Sequence, residues 1–530
     1  MVLFAVMLSA ATAWAEDVSI ATVAEWNTFA GRVNGGETTL GGLLTADLDF
    51  DGETFTVAGT SAHPFCGTFD GAGHTVTGIS VSKSGDVSAN RQGIFGSIGS
   101  GGTVRNVTVT GSSFAGWDYV GGIAGYNQGG TIENCHVTAT VTIGTTAMSK
   151  QYHGGIVGYN SSVYSTVSHC TSSATVTNND YTSCHNFGGI VGSNSGGTVE
   201  HCLAVGATVS AVTNSGAVVG QNTSTLSYNY YGHCTVGEAT SDIGTNTGDI
   251  TTNDGAVPAI ILYDHGTEAS GNGTTIVDNT GSGKNVALYG RTLYKDGAWN
   301  TLCLPFAVSD FTGTALEGTT VMELDTDCDY SGHKTGFDST TGTLYLYFKT
   351  AKAIEAGKPY IVKWATTGDN IENPVFSGVT VSSTTASTVE AKNSNLNTVQ
   401  FIGTYSPFAL TPNDQSNLFL GTSSNAQNET QSTLFYPNAS NNDDGKYYVN
   451  ACRAYFHVDF TGATNVRAFV LSFGEDEATG IREITAPTPD PSPAWEGSGC
   501  ACYSLDGRRL SGKPTQRGVF IVTGKKIVIK

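Results

Sequence analysis

The chain has 530 residues and a formal net charge of −20 at pH 7, with 68 glycines, 13 prolines and 11 cysteines. This length gives room for two or three domains, and a hydrophobic fraction of 39% argues against wholesale disorder. Because nucleic-acid binding depends on neutralising phosphates, the acidic balance excludes nucleic acid as an expected partner. The same argument applies to anionic membrane surfaces.

The first residues predict an export signal. Residues 2–13 form an apolar run too short to span a bilayer, and Ala13-Trp14-Ala15 matches a small-x-small cleavage site. We therefore expect residues 1–15 to be a signal peptide that is removed after Ala15. No Lys or Arg precedes the apolar run, which indicates that the natural start lies further upstream. No later segment is apolar enough to span a membrane, so the protein is expected to be exported and not transmembrane.

A glycine-rich phrase occurs five times between residues 93 and 222, as in Gly155-Ile-Val-Gly-Tyr-Asn. Successive copies lie 28 to 34 residues apart, a period typical of stacked-coil architectures. A phrase beginning with Thr follows each copy, and an alternating run ending in Ala-Thr-Val follows three of them. The pattern predicts three short strands per coil. The second glycines of the five phrases are Gly96, Gly125, Gly158, Gly192 and Gly220.

Coils of this kind bury one face by stacking, with strands of neighbouring coils about 4.8 Å apart, so that equivalent residues form columns. The repeated glycines are expected either where φ is positive or where a side chain would collide with the neighbouring coil. The predicted architecture is a right-handed parallel β-helix. One inward column is expected to hold Ile94, Ile123, Ile156, Ile190 and Val218, and another Val107, Cys135, Cys170 and Cys202.

The three cysteines of the second column, Cys135, Cys170 and Cys202, are expected to be small buried apolar residues. A spacing near 4.8 Å exceeds the roughly 3.5 to 4.5 Å between the Cβ atoms of a disulfide. His169 and His201 precede two of the cysteines, which leaves a zinc site as the alternative. Neighbouring residues of a strand face opposite ways, so packing is favoured over zinc. We expect no metal and no cofactor.

The phrases around Gly122 and Gly155 resemble the GLUG motif of bacterial surface proteins. The segment from Phe65 to Val76 is similar to the lead-in of such repeat tracts, and Trp26 to Asp49 is similar to their first, capping coil. The resemblance implies an extracellular, adhesin-like role and brings no catalytic residues. On this basis we assign residues 16–250 to the β-helix.

Residues 251–485 consist of aromatic, non-repeating strands and are expected to form an antiparallel β-sandwich. The stretch from Arg291 to Phe456 resembles a β-sandwich module common near the C-termini of Bacteroidetes surface proteins, and this resemblance implies no particular chemistry. The aromatic residues suit either a sugar-stacking platform or the sandwich core, and their alternation along the strands favours the core. They include Trp299, Tyr345, Tyr347, Tyr360 and Trp364.

The end of the chain predicts a linker and a separate tail. Residues 486–499 are rich in proline and are expected to form an extended, semi-rigid linker. Residues 500–530 predict strands joined at Asp506-Gly507 and Thr523-Gly524, with seven Lys or Arg against one acid. This tail resembles the type A C-terminal sorting domain of the type IX secretion system. The resemblance implies recognition by the secretion machinery and display on the outer membrane exterior of a Gram-negative bacterium.

The function expected from these features is that of a secreted, adhesin-like cell-surface protein that is not an enzyme and binds glycans or host or bacterial surface proteins. Tyr126 and Tyr159 occupy the same position of successive coils and are the candidate ligand-binding residues. A polysaccharide lyase or hydrolase is one alternative, because other parallel β-helices have these activities. The carboxylates of the tract scatter along the sequence, which disfavours it. A passive structural surface component is the other alternative.

Overall fold

The computed structural model describes residues 17–473, apart from 83–89, 139, 143–151, 178–183, 212, 238–244, 247–255, 329–333, 394–395, 413, 425–429, 438–445 and 460–465. Beyond residue 473 it describes 482–483, 502–504, 509–510, 518–522 and 525–529. The expected signal peptide (residues 1–15) and linker (residues 486–499) lie outside the described residues. The chain forms two compact units. Unit 1 comprises Met1–Leu262, Gly281–Arg291 and Glu372–Val379, and unit 2 comprises Tyr263–Thr280, Thr292–Ile371 and Thr380–Lys530.

Unit 1 is a parallel β-solenoid of about seven turns, which confirms the fold class expected from the repeats. Each full coil contributes one strand to each of five parallel sheets. Sheet one consists of Val18–Ile20, Gly42–Leu44, Thr68–Asp70, Thr103–Arg105, Thr131–Glu133, Thr166–Ser168, Thr198–Glu200 and Thr225–Ser227. Sheet two consists of Leu48–Asp49, Thr75–Thr77, Thr108–Val109, His136–Val137, Thr171–Ser172, Leu203–Val205, Asn229–Gly232 and Ala256–Pro258.

The other three sheets are shorter. Sheet three consists of Ser80–Ser82, Ser113–Ala115, Thr140–Thr142, Thr175–Thr177, Thr208–Ser210 and Thr235–Val236. Sheet four consists of Arg91–Gln92, Tyr119–Gly121, Tyr152–Gly154, His185–Gly188 and Thr213–Gly216. Sheet five consists of Phe95–Ile98, Ala124–Asn127, Val157–Asn160, Val191–Asn194, Val219–Asn222 and Thr245–Asn246.

The expectation of three strands per coil is therefore wrong, because one more strand precedes the glycine phrase and another lies between the strand of the Thr phrase and the run that ends in Ala-Thr-Val. The strand of the Thr phrase ends before a residue in the left-handed backbone region, such as Asn134 with φ 49° or His169 with φ 53°. Asparagine tolerates this region better than most residues, since its short polar side chain can bond locally. The strand before the glycine phrase, such as Tyr119–Gly121, ends where the chain reverses into the next strand at Ala124. The residues with positive φ in the Thr phrases are Asn106, Asn134, His169, His201 and Tyr228.

The inward columns are buried. Every member of the isoleucine column and of the cysteine column has an exposed fraction of 0%. A third inward column consists of asparagines whose side-chain amides donate from coil to coil. Asn127 Nδ2 donates to Asn160 Oδ1 at 3.0 Å, Asn160 to Asn194 at 2.9 Å and Asn194 to Asn222 at 2.8 Å. This asparagine ladder satisfies buried polar groups that would otherwise destabilise the core.

A helix at Val23–Asn34 lies where the sequence predicts a capping coil. Thr22 caps the helix, and the Glu25 carboxylate accepts from the Ala21 N–H at 2.8 Å, which is a capping box. The buried face of the helix carries Trp26, Phe29, Ala30 and Val33. The Trp26 ring packs against rings of the first coils, with centroids 5.5 Å from Phe69 and 5.9 Å from Phe95. No helix among the described residues is long and apolar enough to cross a membrane.

Two later segments of the chain also belong to unit 1. Gly281–Tyr289 is the central strand of a three-stranded sheet with Ile260–Tyr263 and Val375–Val381. Next to the last of these, Glu372 lies 2.6 Å from Nε2 of the buried His136 in sheet two. Asn373 donates to the hydroxyl of Thr171 at 3.3 Å, on the neighbouring strand of the same sheet.

Unit 2 contains mainly antiparallel sheets. One sheet is ordered Asn300–Cys303, Pro359–Trp364, Thr319–Leu324, Thr343–Thr350, Ala468–Ser472 and Arg482–Glu483, with Gly336–Asp338 beside Thr343–Thr350. A second is ordered Thr388–Ala391, Val399–Thr404, Arg453–Val458, Asn417–Ser424 and Thr430–Phe435. Among the described strands of these two sheets, Thr343–Thr350 and Ala468–Ser472 pair in parallel and the other neighbours pair antiparallel. The remaining elements are Phe408–Leu410 with Tyr447–Val449, short strands Thr292–Leu293 and Ile371–Glu372, and helices Gly266–Ala269 and Asn272–Asp278.

One apolar core joins the two larger sheets of unit 2. It includes Leu346 and Ile361 from the first sheet and Phe401 and Phe456 from the second. Four of the five aromatic residues considered as a sugar platform are buried, and only Tyr345 is half-buried, so these rings fill the interior. At the end of the chain, Arg509–Leu510, Cys502–Ser504, Gly518–Val522 and Lys525–Ile529 form an antiparallel four-stranded sheet in this order.

Candidate functional site

Four tyrosines from two successive coils come together on the solenoid. Tyr119 and Tyr152 are direct partners in sheet four, and Tyr126 and Tyr159 are direct partners in sheet five. The chain reverses between the two strands of each coil, which places Tyr119 beside Tyr126 and Tyr152 beside Tyr159. All four side chains are half-buried. We call these four residues the tyrosine cluster.

The rings of the tyrosine cluster contact one another in every direction. Tyr119 and Tyr152 stack with centroids 5.4 Å apart and planes 4° apart. Tyr126 lies edge-on to Tyr119 at 5.2 Å and tilted against Tyr159 at 5.2 Å. Tyr152 and Tyr159 are 4.8 Å apart. These separations are within the range in which aromatic pairs attract beyond their buried area, so the cluster is a rigid platform with partly exposed rings.

The repeated glycines allow this arrangement by letting the two strands of a coil approach closely. None of the five has positive φ. A Cβ at Gly158 would lie 2.6 Å from the Tyr152 carbonyl oxygen and 2.6 Å from the Val120 nitrogen. Across Gly96, Gly125, Gly158, Gly192 and Gly220, the nearest backbone atom would be 2.5 to 2.7 Å away. Of the two roles considered from the sequence, the geometry is that of a collision with neighbouring backbone, in the same coil and the adjacent one.

Arg91 borders the tyrosine cluster on the side of the preceding coil. It is the register partner of Tyr119 in sheet four. Its guanidinium carbon lies 4.2 Å from the Tyr126 centroid and 5.9 Å from the Tyr119 centroid, which is cation–π geometry. Its Nη1 donates to the hydroxyl of Ser97 at 2.8 Å. The cluster thus combines flat aromatic faces with a fixed positive charge.

Polar residues follow the tyrosines along sheet five in the next coils. Ser193 is the register partner of Tyr159, and Gln221 is the register partner of Ser193. Ser193 is buried, and its hydroxyl donates to the amide oxygen of the half-buried Gln221 at 3.4 Å. A ligand that crosses the coils therefore meets a cation, then aromatic rings, then the Gln221 amide.

The phenols of Tyr119 and Tyr152 are neutral donors at physiological pH. Burial, with smaller contributions from Asp118 and the other tyrosines, raises the pKa of Tyr119 to about 12. The pKa of Tyr152 is also raised, chiefly by burial. Partial burial raises the pKa of Asp118 as well. Hydroxyl groups of this kind hydrogen-bond to sugars or peptides and do not act as bases.

The structure brings together the two tyrosines predicted from the sequence and adds three residues that the sequence analysis missed. Tyr126 and Tyr159 contact each other, and Tyr119, Tyr152 and Arg91 complete the group. A signal for Tyr119 and Tyr152 exists, because each stands seven residues before a predicted tyrosine. Arg91 has no equivalent in the other coils and could not be recognised from the repeat.

The column cysteines lie inside the solenoid, away from the cluster. None of the three is in a disulfide, and each thiol donates to backbone carbonyls, as Cys170 does to Ser168 at 3.2 Å. His169 and His201 instead stack outside, 5.0 Å apart, with exposed rings. The two kinds of side chain considered for a zinc site therefore point apart. Among the described residues, no group of three or more His, Cys, Asp or Glu could hold a metal ion.

Comparison with known proteins adds two findings. The family model of the GLUG motif matches residues 118–142, which contain Tyr119 and Tyr126. A crystal structure described as "a putative immunoglobulin A1 protease from Bacteroides ovatus" is similar at 17% identity and a TM-score of 0.29, over 50% of this chain and 88% of the other. No curated protein matches the chain. The protein is thus a solenoid in which residues 118–142 match the GLUG motif.

Proposed function

We propose that this protein is an exported, adhesin-like cell-surface protein that binds glycans at the tyrosine cluster without cleaving them. The observation that carries the proposal is the cluster itself, in which four partly exposed rings are held by backbone register. Pyranose rings present flat apolar faces between hydroxyl groups, and aromatic platforms with polar edges complement both. Large apolar side chains are otherwise sparse on this surface, since the strands expose mainly Thr, Ser and Asn.

A non-catalytic role follows from the chemistry of the same residues. Glycoside hydrolysis uses two carboxyl groups about 5 to 9.5 Å apart on either side of the bond. In the described part of the chain, Asp118 is the carboxylate whose charge contributes to the raised pKa of Tyr119 and Tyr152. Neutral phenols and a guanidinium that is stacked on a ring bind and orient a ligand. We therefore favour binding over a lyase or hydrolase.

The two ends of the chain support display on the cell surface. The apolar run before Ala15 serves export, and the tail from residue 500 serves sorting by a type IX secretion system of the Bacteroidetes kind. Individually weak contacts at one cluster are then amplified, because many copies on one cell engage one polymer. A surface protein that carries suitable glycans would be captured in the same way.

Binding of the full-length protein to a panel of plant, mucin and bacterial polysaccharides tests the proposal. We expect Tyr126→Ala/Tyr159→Ala to bind about tenfold more weakly or worse, because two stacking faces are lost. The matched control is Tyr164→Ala, which removes a tyrosine that is 76% exposed on a turn outside the cluster and should leave binding unchanged.

Three results would contradict the proposal. New reducing ends or unsaturated products would show an enzyme. Binding that is unaffected by the double substitution would place the site elsewhere. Failure to bind any glycan or surface protein would favour the passive structural component.

A further inference from the structure

Arg91 is an unpaired cation within the described part of the chain. Among the described residues, Nη1 of its guanidinium donates to the Ser97 hydroxyl, and Nε is buried without a hydrogen-bond partner. No carboxylate among the described residues lies within 4.0 Å of it. By comparison, Arg32 lies 2.6 Å from Glu37, and Arg105 lies 2.9 Å from Asp70. Arg91 thus differs from two other arginines of unit 1 in having no acidic partner.

The contact of Arg91 with the tyrosine rings leaves part of its guanidinium for a ligand. The cation–π contact places the guanidinium carbon over the Tyr126 ring. Because Nε is buried, the donors left for a ligand are the remaining N–H groups of the two terminal nitrogens, and their planar fork matches a carboxylate. Because Arg91 stacks on Tyr126, a carboxylate bound at that edge lies next to the aromatic platform. A sugar that carries the carboxylate would then be placed on the rings.

The net charge of the protein limits how acidic the ligand can be. At −20, the chain repels a densely charged polyanion over distances up to about a Debye length of 8 to 10 Å at physiological ionic strength. One cation at the cluster offsets one negative charge and not a row of them. The arrangement therefore suits an isolated acidic sugar that is flanked by neutral ones.

We propose that the tyrosine cluster and Arg91 recognise a glycan in which a single carboxylate-bearing sugar lies next to neutral sugars. The inference rests on the proposed glycan-binding function and narrows its ligand class. Arg91 binds the carboxylate, the tyrosines stack on the adjoining neutral rings, and the half-buried Gln221 provides a hydrogen bond further along. The acidic sugar can be a sialic acid or a uronic acid, since both present the same planar group.

Two pairs of probes distinguish these sources. One is submaxillary mucin before and after enzymatic removal of its sialic acids, and the other is a sparsely charged arabinogalactan before and after reduction of its uronic acids to neutral sugars. Heparin serves as the dense polyanion. We expect the full-length protein to bind at least one acidic form about tenfold more tightly than its neutral counterpart, and to bind heparin more weakly than that form.

Arg91→Gln should abolish this preference by lowering binding of the acidic form about tenfold, because the carboxylate loses its charged partner. Wild-type hydrogen-exchange protection of the solenoid amides shows that the variant is folded. Arg91→Lys should keep part of the preference, since it keeps the charge but not the planar fork.

The outcomes separate this inference from the function on which it rests. Equal binding of acidic and neutral forms by the wild-type protein, or a preference that survives in Arg91→Gln, overturns the inference and leaves glycan binding intact. Tighter binding of heparin than of either sparsely charged glycan overturns it as well. Absence of binding to every form, or unchanged binding by Tyr126→Ala/Tyr159→Ala, removes the proposed function and the inference together.

Discussion

At the scale of single residues, the solenoid depends on positions where a side chain has no room. Gly158 is such a position, because a Cβ there would lie 2.6 to 2.7 Å from three backbone atoms of Tyr152, Val120 and Gly125. Backbone atoms cannot move aside as the end of a flexible side chain can. Glycine is therefore required here because strands of the same coil and of the preceding coil approach this position closely.

Gly158→Ala should destabilise the solenoid by about 1 to 3 kcal/mol, because the added methyl group forces the strands of two coils apart. The loss should extend to the neighbouring coils, since each coil is stabilised by its neighbours. Hydrogen exchange of the amides between Tyr119 and Asn194, measured by mass spectrometry, reports this loss directly.

The matched control is Gly31→Ala, which lies within the N-terminal helix with no atom within 4 Å of the added Cβ. It should stabilise that helix by about 0.5 to 1 kcal/mol. Equal protection of the solenoid amides in Gly158→Ala and the wild type would refute the close-approach explanation.

The column cysteines give a second residue-scale prediction. Cys135, Cys170 and Cys202 are fully buried, and burial raises the pKa of Cys135 and Cys202 well above the ordinary value. Because all three thiols are fully buried, a maleimide should label them only after denaturation. The half-buried Cys66 is the internal reference and should react earlier. Rapid labelling of the column in native protein, or a disulfide within it, would contradict the stacking register.

At the scale of elements, the repeat period predicts the coil but not its subdivision. Strand-like composition continues through Thr131-Ile-Glu-Asn-Cys, so nothing in the apolar pattern indicates that Asn134 ends one strand and starts another. The left-handed conformation at this position is shared by Asn, His and Tyr in different coils. Of these residue types, only asparagine favours turns strongly enough to predict the conformation from the sequence. For a related reason, only two of the four tyrosines of the cluster, Tyr126 and Tyr159, were predicted from the sequence. Contacts along one sheet follow from the period, whereas contacts between sheets depend on how the coil reverses.

The ion pair between His136 and Glu372 predicts a pH window for stability. Burial alone would lower the pKa of His136, but the neighbouring carboxylate outweighs burial and raises it above 6.5. Burial likewise raises the pKa of Glu372, but the imidazolium outweighs it and lowers the pKa below 4.5. The histidine contribution is complete below pH 6.5 and is lost as the pH rises through its folded-state pKa. The glutamate contribution is complete above pH 4.5 and is lost as the pH falls.

The wild type should therefore exceed His136→Gln in stability by about 3 kcal/mol between pH 4.5 and 6.5, and by less on either side. Hydrogen exchange of sheet-two amides at a series of pH values measures the difference. Subtracting the stability of His136→Gln from that of the wild type cancels the contributions of groups that titrate in both proteins. His153 is one such group, because burial lowers its pKa to about 3.

A surface pair provides the control for this experiment. His74→Gln removes the partner of Asp47, which is 72% exposed, and should cost less than about 1 kcal/mol. A flat difference between the wild type and His136→Gln across the pH range would mean that the buried pair contributes no pH-dependent stability.

At the scale of the whole molecule, the sequence predicts an all-β chain with a repeat tract followed by antiparallel sheets, and the structure confirms this order. The helix at Val23–Asn34 was missed, although Thr22 and Glu25 form a capping box and Trp26, Phe29, Ala30 and Val33 follow helical spacing. The resemblance to a capping coil obscured this local signal. The packing of Glu372–Val379 in unit 1 could not be predicted from the sequence. No local sequence pattern indicates a contact between segments so far apart in the chain.

The tail gives the prediction at this scale. Deletion of residues 500–530 should leave hydrogen-exchange protection of the solenoid and of unit 2 unchanged, while the protein accumulates in the periplasm instead of on the surface. Protease treatment of intact cells measures exposure. The comparison is with the full-length protein at equal expression. Equal surface exposure of both forms would refute the sorting role.

The asparagine ladder has a consequence for how many coils such a molecule can have. The Asn160 amide accepts from Asn127 of the preceding coil and donates to Asn194 of the following coil. Each internal coil therefore contributes one donor and one acceptor to the ladder. Asn222 also donates to the Ser224 carbonyl at 2.8 Å in its own turn. Duplication of an internal coil would lengthen the series without leaving an amide unpaired. The solenoid can therefore grow in whole increments of one coil, at no cost in unsatisfied buried groups, and each increment lengthens its lateral surface.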